Sequence, residues 1–221
     1  ESGRTGKKHE LKKYMMMQDT TMKLAIIVPY RDRLLHLNKF IAYMRPRFKA
    51  DVIVVEQLQG KPFNRGKLLN IGVIESPDYD YYALHDVDML PVKSNYTYPE
   101  CPTLLATKVQ QFGYKMPFAE YFGGVVLISR ADMLKCNGYH NEFWGWGGED
   151  DLFRDRILAS GLQVSSRECI FNSLPHPRNI DPVLHKKNVS TWKAGPQLEN
   201  GISNCEYKVI SHEANHIIVE I

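Results

Sequence analysis

Apolar residues recur in two different spacings along the first part of the chain. Short continuous apolar runs, typical of buried strands, alternate with segments in which apolar residues repeat every three or four positions, as on one face of a helix. Pro29 is expected to end the first strand. The alternation of strand and helix patterns predicts an α/β fold with a mainly parallel central sheet flanked by helices. The predicted strands are 24–28, 52–55 and 79–84, and the predicted helices are 34–44 and 66–74.

The pattern is less regular in the second part of the chain. The predicted elements there are a buried strand at 123–128, helices at 131–135 and 149–160, and a closing strand at 217–219. Residues 163–205 are rich in Pro, Asn and Ser and are expected to form loops. Since no linker interrupts the sequence, we expect one domain over residues 23–221. Residues 1–22, which are basic, are expected to form a flexible tail or stem remnant.

The composition is that of a globular protein and narrows the classes of partner. The 221 residues are 43% hydrophobic and 24% charged, with 28 Lys and Arg against 25 Asp and Glu. A net charge of only +3 gives no reason to expect a nucleic-acid partner. No apolar run reaches the ~18 residues that a membrane-spanning helix needs, so no membrane contact is expected from this chain. The four cysteines include no Cys-x-x-Cys pair, and a zinc site is not predicted.

Two carboxylates directly follow the third predicted strand. In Asp86-Val87-Asp88 both acids lie on one side of the extended chain, at the carboxyl end of the strand, where open α/β sheets bind ligands. Paired oxygen donors at this edge suit a divalent cation that carries a nucleotide diphosphate. Aspartates at a strand end also cap the following turn, so both interpretations of the motif stay open on its sequence alone.

Residues 143–151, Phe-Trp-Gly-Trp-Gly-Gly-Glu-Asp-Asp, combine tryptophans, glycines and three acids. Acids in a first helical turn suit the helix dipole, which by itself explains Glu149 and Asp150. The dipole gives no reason for two tryptophans on a glycine-rich turn. Aromatic faces stack on sugar rings, carboxylates hydrogen-bond sugar hydroxyls, and glycines let the segment move or approach a ligand closely. The segment therefore favours carbohydrate binding.

Cationic and aromatic side chains follow the first predicted strand and precede the second helix. In residues 29–33, Pro-Tyr-Arg-Asp-Arg, the two arginines can hold a diphosphate and Tyr30 can flank a base. Asp32 can equally form a surface ion pair with either arginine. Residues 63–67, Phe-Asn-Arg-Gly-Lys, again place an aromatic ring, an amide and a cation where a nucleotide would lie.

These motifs together resemble the β-1,4-galactosyltransferase family, the inverting, metal-dependent transferases of GT-A fold and family 7 type. Residues 112–114 (Phe-Gly-Tyr) and 121–125 (Tyr-Phe-Gly-Gly-Val) also carry the resemblance, which covers about residue 23 to residue 221. It implies a GT-A-type catalytic domain over residues 23–221. The implied reaction moves galactose from UDP-galactose to a hydroxyl of a GlcNAc- or xylose-type acceptor in β-1,4 linkage, with Mn²⁺ as cofactor.

The resemblance also implies roles for individual residues. Asp150 matches the catalytic base, and Asp88 and His176 match metal ligands. Tyr121 matches a tyrosine whose bulk favours galactose over N-acetylgalactosamine, and Trp146 belongs to a loop that closes over the donor. The residues that match the donor site are Pro29, Tyr30, Arg31, Arg33, Phe63, Arg65, Asp86, Val87, Tyr121, Trp146 and Glu149. Those that match acceptor contacts are Gly147, Gly148, Asp150 and Asp151.

The chain departs from the family pattern at three points. The third metal ligand of the family, Met or His, falls at Leu174 or Ser173, so we expect either a lower metal affinity or a shell completed by water or Ser173. The disulfide partner of the family cysteine at Cys101 falls near Ala83, so that bridge is expected to be absent. Acceptor contacts after residue 180 do not align, and the pattern does not specify the acceptor.

Two other functions stay open on the sequence alone. One is a UDP-GalNAc transferase of the same fold, which the bulk of Tyr121 disfavours, and the other is a catalytically weakened glycan-binding protein, which the missing third ligand favours. The location is open in the same way. The resemblance and the sequons at Asn95 and Asn188 favour the Golgi lumen, for a chain whose stem and anchor were removed. The lost cysteine partner and the absent anchor also allow a cytosolic enzyme, of microbial or viral type.

Overall fold

A computed structural model describes residues 22–177 and 180–221, and the expected tail lies outside these residues except for Met22. The helices are α1 (Leu34–Met44), α2 (Arg65–Ile74), α3 (Arg130–Lys135), α4 (Glu149–Ala159) and α5 (Pro182–Lys193). The strands are β1 (Leu24–Tyr30), β2 (Asp51–Gln57), β3 (Tyr81–His85), β4 (Met89–Lys93), β5 (Thr103–Leu104), β6 (Lys108–Val109), β7 (Val125–Ser129), β8 (Ser165–Ser166), β9 (Ile170–Ser173), β10 (Lys208–Glu213) and β11 (His216–Glu220).

Eight strands form the main sheet in the order β10-β11-β2-β1-β3-β7-β5-β8. Strands β11, β2, β1 and β3 are parallel, whereas β7 pairs antiparallel with both β3 and β5. Strands β4, β9 and β6 form a second, smaller sheet. The α/β class is confirmed, but the sheet is mixed beyond β3. A parallel partner there would need a crossover helix, and between β3 and β7 the structure has only short strands and one 3-10 turn.

The core lies around the centre of the main sheet. Strands β3 and β7 are buried at every position, and β1 is buried at every position after Leu24. Helix α2 packs on β1 and β2, and its Gly72 is needed for that approach, since a Cβ there would collide with the side chain of Ile27. Continuous burial explains why these strands read as unbroken apolar runs rather than as alternating patterns. Among the described residues, no helix combines the length and apolar character that crossing a bilayer requires.

Most predicted elements agree with the structure to within two residues at each end, and α1 agrees at both. The prediction that Pro29 ends β1 is wrong, because the strand continues to Tyr30. Pro29 pairs with Val55 of β2 but lies past Ile27, the last residue of β1 that is paired with β3. With a neighbouring strand on one side only, a residue without an N–H is tolerated.

The prediction of loops throughout residues 163–205 is also wrong, because this segment contains β8, β9 and the twelve-residue helix α5. Asp181 caps α5, its side chain accepting hydrogen bonds from the N–H groups of Val183 and Leu184, and Pro182 occupies the first helical turn. An Asp-Pro pair of this kind is a helix-start signal. The Pro, Asn and Ser content of the whole segment outweighed it in the prediction.

Candidate active site

The loop between β3 and β4 contains Asp86 and Asp88, and the side chain of His85, the last residue of β3, holds this loop in place. The ring Nδ1 of His85 lies 2.9 Å from the carbonyl oxygen of Asp86, and Nε2 lies 2.8 Å from the hydroxyl of Tyr96. Burial lowers the pKa of His85 to about 4, so the ring is neutral. Because a carbonyl oxygen only accepts, Nδ1 carries the proton and Nε2 accepts from Tyr96. The N–H of Asp86 donates to Gly124 (2.9 Å), which holds the loop from its other side.

Asp88 lies against His176, which follows β9. Strands β4 and β9 are antiparallel, and the N–H of Leu174 donates to the carbonyl oxygen of Asp88 (2.8 Å). This pairing brings Nε2 of His176 to 2.9 Å from Oδ2 of Asp88, whose side chain is only 7% exposed. Burial, together with the charge of Asp86, raises the pKa of Asp88. Arg33 adds a cation, with Nη2 at 3.1 Å from Nδ1 of His176.

The Asp88 and His176 pair fits a divalent cation. Nδ1 of His176 lies 2.9 Å from the carbonyl oxygen of Pro177, to which it can only donate, and 3.1 Å from Nη2 of Arg33, from which it can only accept. The Pro177 contact fits the tautomer with the proton on Nδ1, which leaves the lone pair of Nε2 for a metal ion next to Asp88. Adjacent ligands of an octahedral ion at ~2.1 Å would lie ~3 Å apart, close to the observed 2.9 Å between Oδ2 and Nε2. One carboxylate oxygen and one imidazole nitrogen suit Mn²⁺.

The part of the chain that the structure describes offers no third His, Cys, Asp or Glu ligand for the metal. No group of three or more His, Cys, Asp and Glu side chains is close enough there to hold a metal ion. Ser173, the side chain expected to complete the shell, instead accepts a hydrogen bond from the N–H of Gln111 (3.0 Å). Any further ligands would therefore have to come from water or from the substrate.

Arg65, the first residue of α2, connects three carboxylates. Its Nε donates to Oδ1 of Asp86 (2.6 Å), its Nη1 donates to Oδ1 of Asp150 (2.7 Å), and Nη1 lies 4.0 Å from Glu149. The side chain of Arg65 is 11% exposed. Burial disfavours its charge, but Asp150 and Asp86 outweigh burial and raise the pKa of Arg65 well above its ordinary value. One fixed cation thus holds three acids from two different segments.

Asp150 has the environment of a base that works near neutral pH. Burial is the largest of the effects that together raise its pKa to about 7; Arg65 lowers the pKa, and the charges of Glu149 and Asp86 raise it. About half of such a carboxyl is ionised at neutral pH and can accept a proton. Its Oδ2 lies against Gly123, where a Cβ would collide with it, so glycine at position 123 gives this oxygen its room.

The Trp146 turn lies on helix α5. The amide nitrogen of Asn188 donates to the carbonyl oxygens of Trp144 (3.0 Å) and Trp146 (3.5 Å). The Trp146 indole stacks on His185, with ring centroids 5.5 Å apart and planes 18° apart, yet Trp146 remains 46% exposed. Gly147 has a φ of +106° and leaves room for His185, which lies 2.9 Å from where a Cβ would be. In this conformation the turn presents an exposed indole next to His185.

The other predicted donor residues lie along the carboxyl edges of β1 and β2. Tyr30 is buried and meets His216 edge-on, with ring centroids 6.5 Å apart. Arg31 donates to the carbonyl oxygen of Lys61 (2.7 Å), and its guanidinium lies over the ring of Phe63. The carbonyl of Phe63 also accepts from the N–H of Gly145 (2.7 Å), which joins this edge to the tryptophan turn.

Three further predicted residues surround the acids. Tyr121 precedes β7 and meets Phe112 and Phe118 edge-on, and burial raises its pKa, which keeps the hydroxyl protonated. Val87 is buried between Asp86 and Asp88. Asp151 is half-buried on α4, and burial and Asp155 raise its pKa. The predicted residues thus form four groups, namely the Asp88 pair, the Arg65 cluster, the edge of β1 and the tryptophan turn.

Two family models match the chain in succession. Residues 15–102 match a model described as the N-terminal region of glycosyl transferase group 7, and residues 103–178 match one described as the N-terminal domain of galactosyltransferase. Human β-1,4-galactosyltransferase 4 is 34% identical over 220 residues, which are 90% of this chain and 62% of that protein. Bovine β-1,4-galactosyltransferase 1 is 33% identical over 211 residues, which are 85% of this chain and 50% of that protein.

The chain belongs to the β-1,4-galactosyltransferase family. The family predicted from the motifs is therefore confirmed. The chain spans 50% to 62% of the length of these two relatives.

Solved structures support the same assignment of fold. The catalytic domain of Drosophila β1,4-galactosyltransferase 7, in complex with xylobiose, superposes with a TM-score of 0.76 at 29% identity over 90% of this chain and 92% of that one. A mutant of the Drosophila protein, in complex with manganese, UDP-Gal and xylobiose, superposes with a TM-score of 0.75. GalNAc-T7 with UDP, GalNAc and Mn²⁺ reaches a TM-score of 0.62 at 9% identity, a likeness of fold alone. The chain thus has the GT-A fold that the motifs predicted.

Three residues of the site were not predicted from the sequence. His185 and Asn188 lie on α5, which was expected to be a loop, so no signal for their role was available without the helix. Tyr139 follows Asn137 and Gly138, both with positive φ, and its side chain reaches Asp150. The Asn-Gly pair indicates a turn, but nothing in the sequence connects the aromatic residue after it with an acid eleven positions later.

Proposed function

We propose that this protein is a metal-dependent, inverting β-1,4-galactosyltransferase that moves galactose from UDP-galactose to a hydroxyl of a GlcNAc- or xylose-type acceptor. The observation that carries the proposal is Asp150, a carboxyl whose pKa is about 7, held by Arg65 close to the Asp86-Val87-Asp88 loop. The Drosophila structure with manganese, UDP-Gal and xylobiose supports the choice of metal, donor and xylose-type acceptor.

In the proposed donor site, each group of residues contacts a different part of the donor. Mn²⁺, held by Asp88 and His176, would supply positive charge to the departing diphosphate. Arg33, next to His176, adds a fixed cation on the same side. Pro29, Tyr30, Arg31 and Phe63 form the edge proposed for the nucleotide, and Asp86 and Val87 are proposed to contact the donor as well. The exposed indole face of Trp146 and the carboxyl of Glu149 are proposed to contact the donor sugar.

The proposed reaction is a single displacement at the anomeric carbon. Oδ2 of Asp150 takes the proton from the acceptor hydroxyl as that oxygen bonds to the anomeric carbon. The bond between this carbon and the diphosphate breaks, UDP leaves with the electron pair, and the configuration inverts. Because stabilised UDP needs no protonation to leave, one carboxyl suffices, unlike the two used in glycoside hydrolysis. Asp151 and the backbone of Gly147 and Gly148 are proposed to position the acceptor.

The proposal predicts metal-dependent turnover in a donor-by-acceptor panel. UDP-galactose with Mn²⁺ should be transferred to GlcNAc- or xylose-terminated acceptors, and EDTA should lower the rate about a thousandfold, the equivalent of several kcal/mol of charge stabilisation. Added Mn²⁺ in excess should restore the rate, which is the control for damage by the chelator. Turnover that is unchanged by EDTA would contradict the role given to Asp88 and His176.

The same panel separates the proposal from two alternatives. A UDP-GalNAc transferase would prefer UDP-GalNAc in direct competition. The bulk of Tyr121, whose ring is held edge-on by Phe112 and Phe118, argues against this alternative. The second alternative is a glycan-binding protein, which is favoured because the described residues offer two protein ligands for the metal rather than three. Such a protein would bind sugar in calorimetry without turnover and without Mn²⁺-linked UDP affinity.

We infer that the enzyme acts in the Golgi lumen, an inference that rests on family membership and on one usable sequon. Asn95 is exposed, and its side-chain oxygen accepts from the N–H of Thr97 (3.0 Å). Asn188, in the other sequon, is buried under the tryptophan turn. Expressed through a secretory pathway, the protein should lose its one N-glycan in Asn95→Gln, as measured by glycosidase-sensitive mobility. A glycan found on Asn188 of active protein, or none at Asn95, would contradict this.

A further inference from the structure

Tyr139 is a buried residue that was not among the predicted site residues and that reaches Asp150. Its side chain is inaccessible to solvent, and its hydroxyl lies 3.3 Å from Oδ1 of Asp150. Burial and the charge of Asp150 raise the pKa of Tyr139 well above its ordinary value, so the phenol stays protonated. A protonated phenol next to a carboxylate donates its hydrogen bond to it.

The position of this hydroxyl is fixed from several sides. The backbone N–H and carbonyl of Tyr139 are both bonded to the side chain of Asn70, at 2.8 and 2.7 Å. Its ring stacks on Phe153 with centroids 3.9 Å apart and lies beneath the Arg65 guanidinium, 5.8 Å from the ring centre. Gly66 leaves the space for this ring, since a Cβ there would be only 3.0 Å from the Cβ of Tyr139. Such packing leaves the hydroxyl little freedom to turn away from Asp150.

The two oxygens of Asp150 therefore have different surroundings. Oδ1 faces two donors, Nη1 of Arg65 at 2.7 Å and the hydroxyl of Tyr139 at 3.3 Å. Oδ2 lies in the space left by Gly123. The ionisable groups that face Asp150 are Arg65 of α2, Asp86 after β3, Glu149 of α4, Tyr121 before β7, and Tyr139. Of these, Arg65 and Tyr139 donate hydrogen bonds to Oδ1, and such bonds favour the ionised carboxyl.

We propose that Tyr139 is a positioning residue for the transfer reaction: by donating to Oδ1 it orients the Asp150 carboxyl, directs Oδ2 toward the acceptor hydroxyl, and stabilises the ionised form. The proposal rests on the proposed function, in which Asp150 is the base. The proposal also gives Gly66 a structural role, because a glycine at this position leaves space for the ring of Tyr139.

Tyr139→Phe tests the proposal by removing one hydroxyl, the group that meets both Asp150 and Arg65. A donated hydrogen bond favours the carboxylate, so its loss should raise the pKa of Asp150 and move the acidic limb of the pH–rate profile to higher pH. Because 3.3 Å is a long hydrogen bond, the expected shift is roughly half to one pH unit. At pH 6 kcat should fall roughly three- to tenfold and at pH 9 by less than about twofold, with an unchanged KM for UDP-galactose.

Tyr82→Phe is the matched control. Tyr82 is also fully buried, and its hydroxyl donates to the carbonyl of Ser76 (2.8 Å), outside the site. This variant should keep the pH profile of the parent, whereas a merely structural role of Tyr139 would give the two variants the same profile. If Tyr139→Phe does not fold, 3-fluorotyrosine at position 139 replaces it. This more acidic phenol donates more strongly, so it should move the acidic limb to lower pH.

A second readout keeps the two proposals separable. The carboxyl of Asp150 can be titrated by ¹³C NMR in protein without substrates, with Asp150→Asn as the assignment control. A chain that transfers no galactose would refute the proposed function, while the titration would still test the effect of Tyr139. An Asp150 titration that is the same in the parent and in the Tyr139 variants would overturn the positioning role, whatever the activity.

Discussion

Asp150→Asn should lower kcat by about a thousandfold or more while leaving the binding of UDP and Mn²⁺ nearly unchanged. The amide has the size of the carboxyl but cannot accept the proton of an acceptor hydroxyl, and a positioned general base contributes about 10²–10⁴ in rate. The second bond of Arg65, from Nε to Asp86 at 2.6 Å, does not depend on Asp150. The donor side of the site should therefore survive the substitution.

Steady-state kinetics and calorimetry together check this expectation. Asp155→Asn is the matched control, since Asp155 lies on the same helix and accepts from the indole N–H of Trp192 (2.8 Å). It should retain parental kcat to within a fewfold. Retained turnover in Asp150→Asn would remove Asp150 as the base. Glu149, the next carboxyl of the cluster around Arg65, would then be the first residue to substitute.

The parts of the fold that the sequence predicted well are those whose periodicity is imposed by burial. Helix α1 was predicted to the residue because its buried side chains, Leu37, Phe40 and Met44, recur at three- and four-residue intervals. The central strands were predicted because they are buried on both sides and read as continuous apolar runs. In both cases the local pattern and the tertiary environment carry the same information.

The errors in the predicted secondary structure occur where contacts between distant segments, rather than the local sequence, determine the structure. Helix α5 has one fully buried residue, Asn188, so it lacks the apolar stripe that marks α1. Its start signal, Asp181 with Pro182, was masked by the polar composition around it. The strand continues through Pro29 because β3 has already ended beside it, a fact about neighbouring strands that no single segment contains.

The candidate site also has parts that could be predicted from the sequence and parts that could not. The acids of the Asp-x-Asp loop and of the tryptophan segment were recognisable because their sequence motifs are compact. What joins them was not recognisable, since Arg65 and Tyr139 reach Asp150 from segments 85 and 11 residues away. Nor does the sequence distinguish Gly123, which makes room for a carboxylate oxygen, from a glycine in an ordinary turn.

A buried arginine holds the segment that carries Tyr139. Arg156 of α4 is inaccessible to solvent, and burial lowers its pKa. It donates five hydrogen bonds of 2.7 to 3.3 Å, all to backbone carbonyls. Its acceptors are Cys136, Asn137, Gly138, Pro196 and Gln197. One side chain thus joins the turn before Tyr139 to the segment that follows α5.

Arg156→Met should therefore destabilise the protein by about 3–5 kcal/mol, a large part of the ~5–15 kcal/mol typical of a folded protein. Methionine fills much of the same volume but removes a donor from five carbonyls. Those of Asn137 and Gln197 keep the N–H groups of Ile202 and Asn200, whereas those of Cys136 and Gly138 lie in buried contacts, and the cost is about 1–3 kcal/mol for each group that water cannot reach. Relief of the buried charge offsets part of this cost. Urea denaturation measures the change, with Arg154→Met, half-buried on the same helix and outside these five bonds, as the control within about 0.5 kcal/mol of the parent. Equal stability of the two variants would mean that the carbonyls find other donors, and Tyr139 would then owe its position to Asn70 and Phe153 instead.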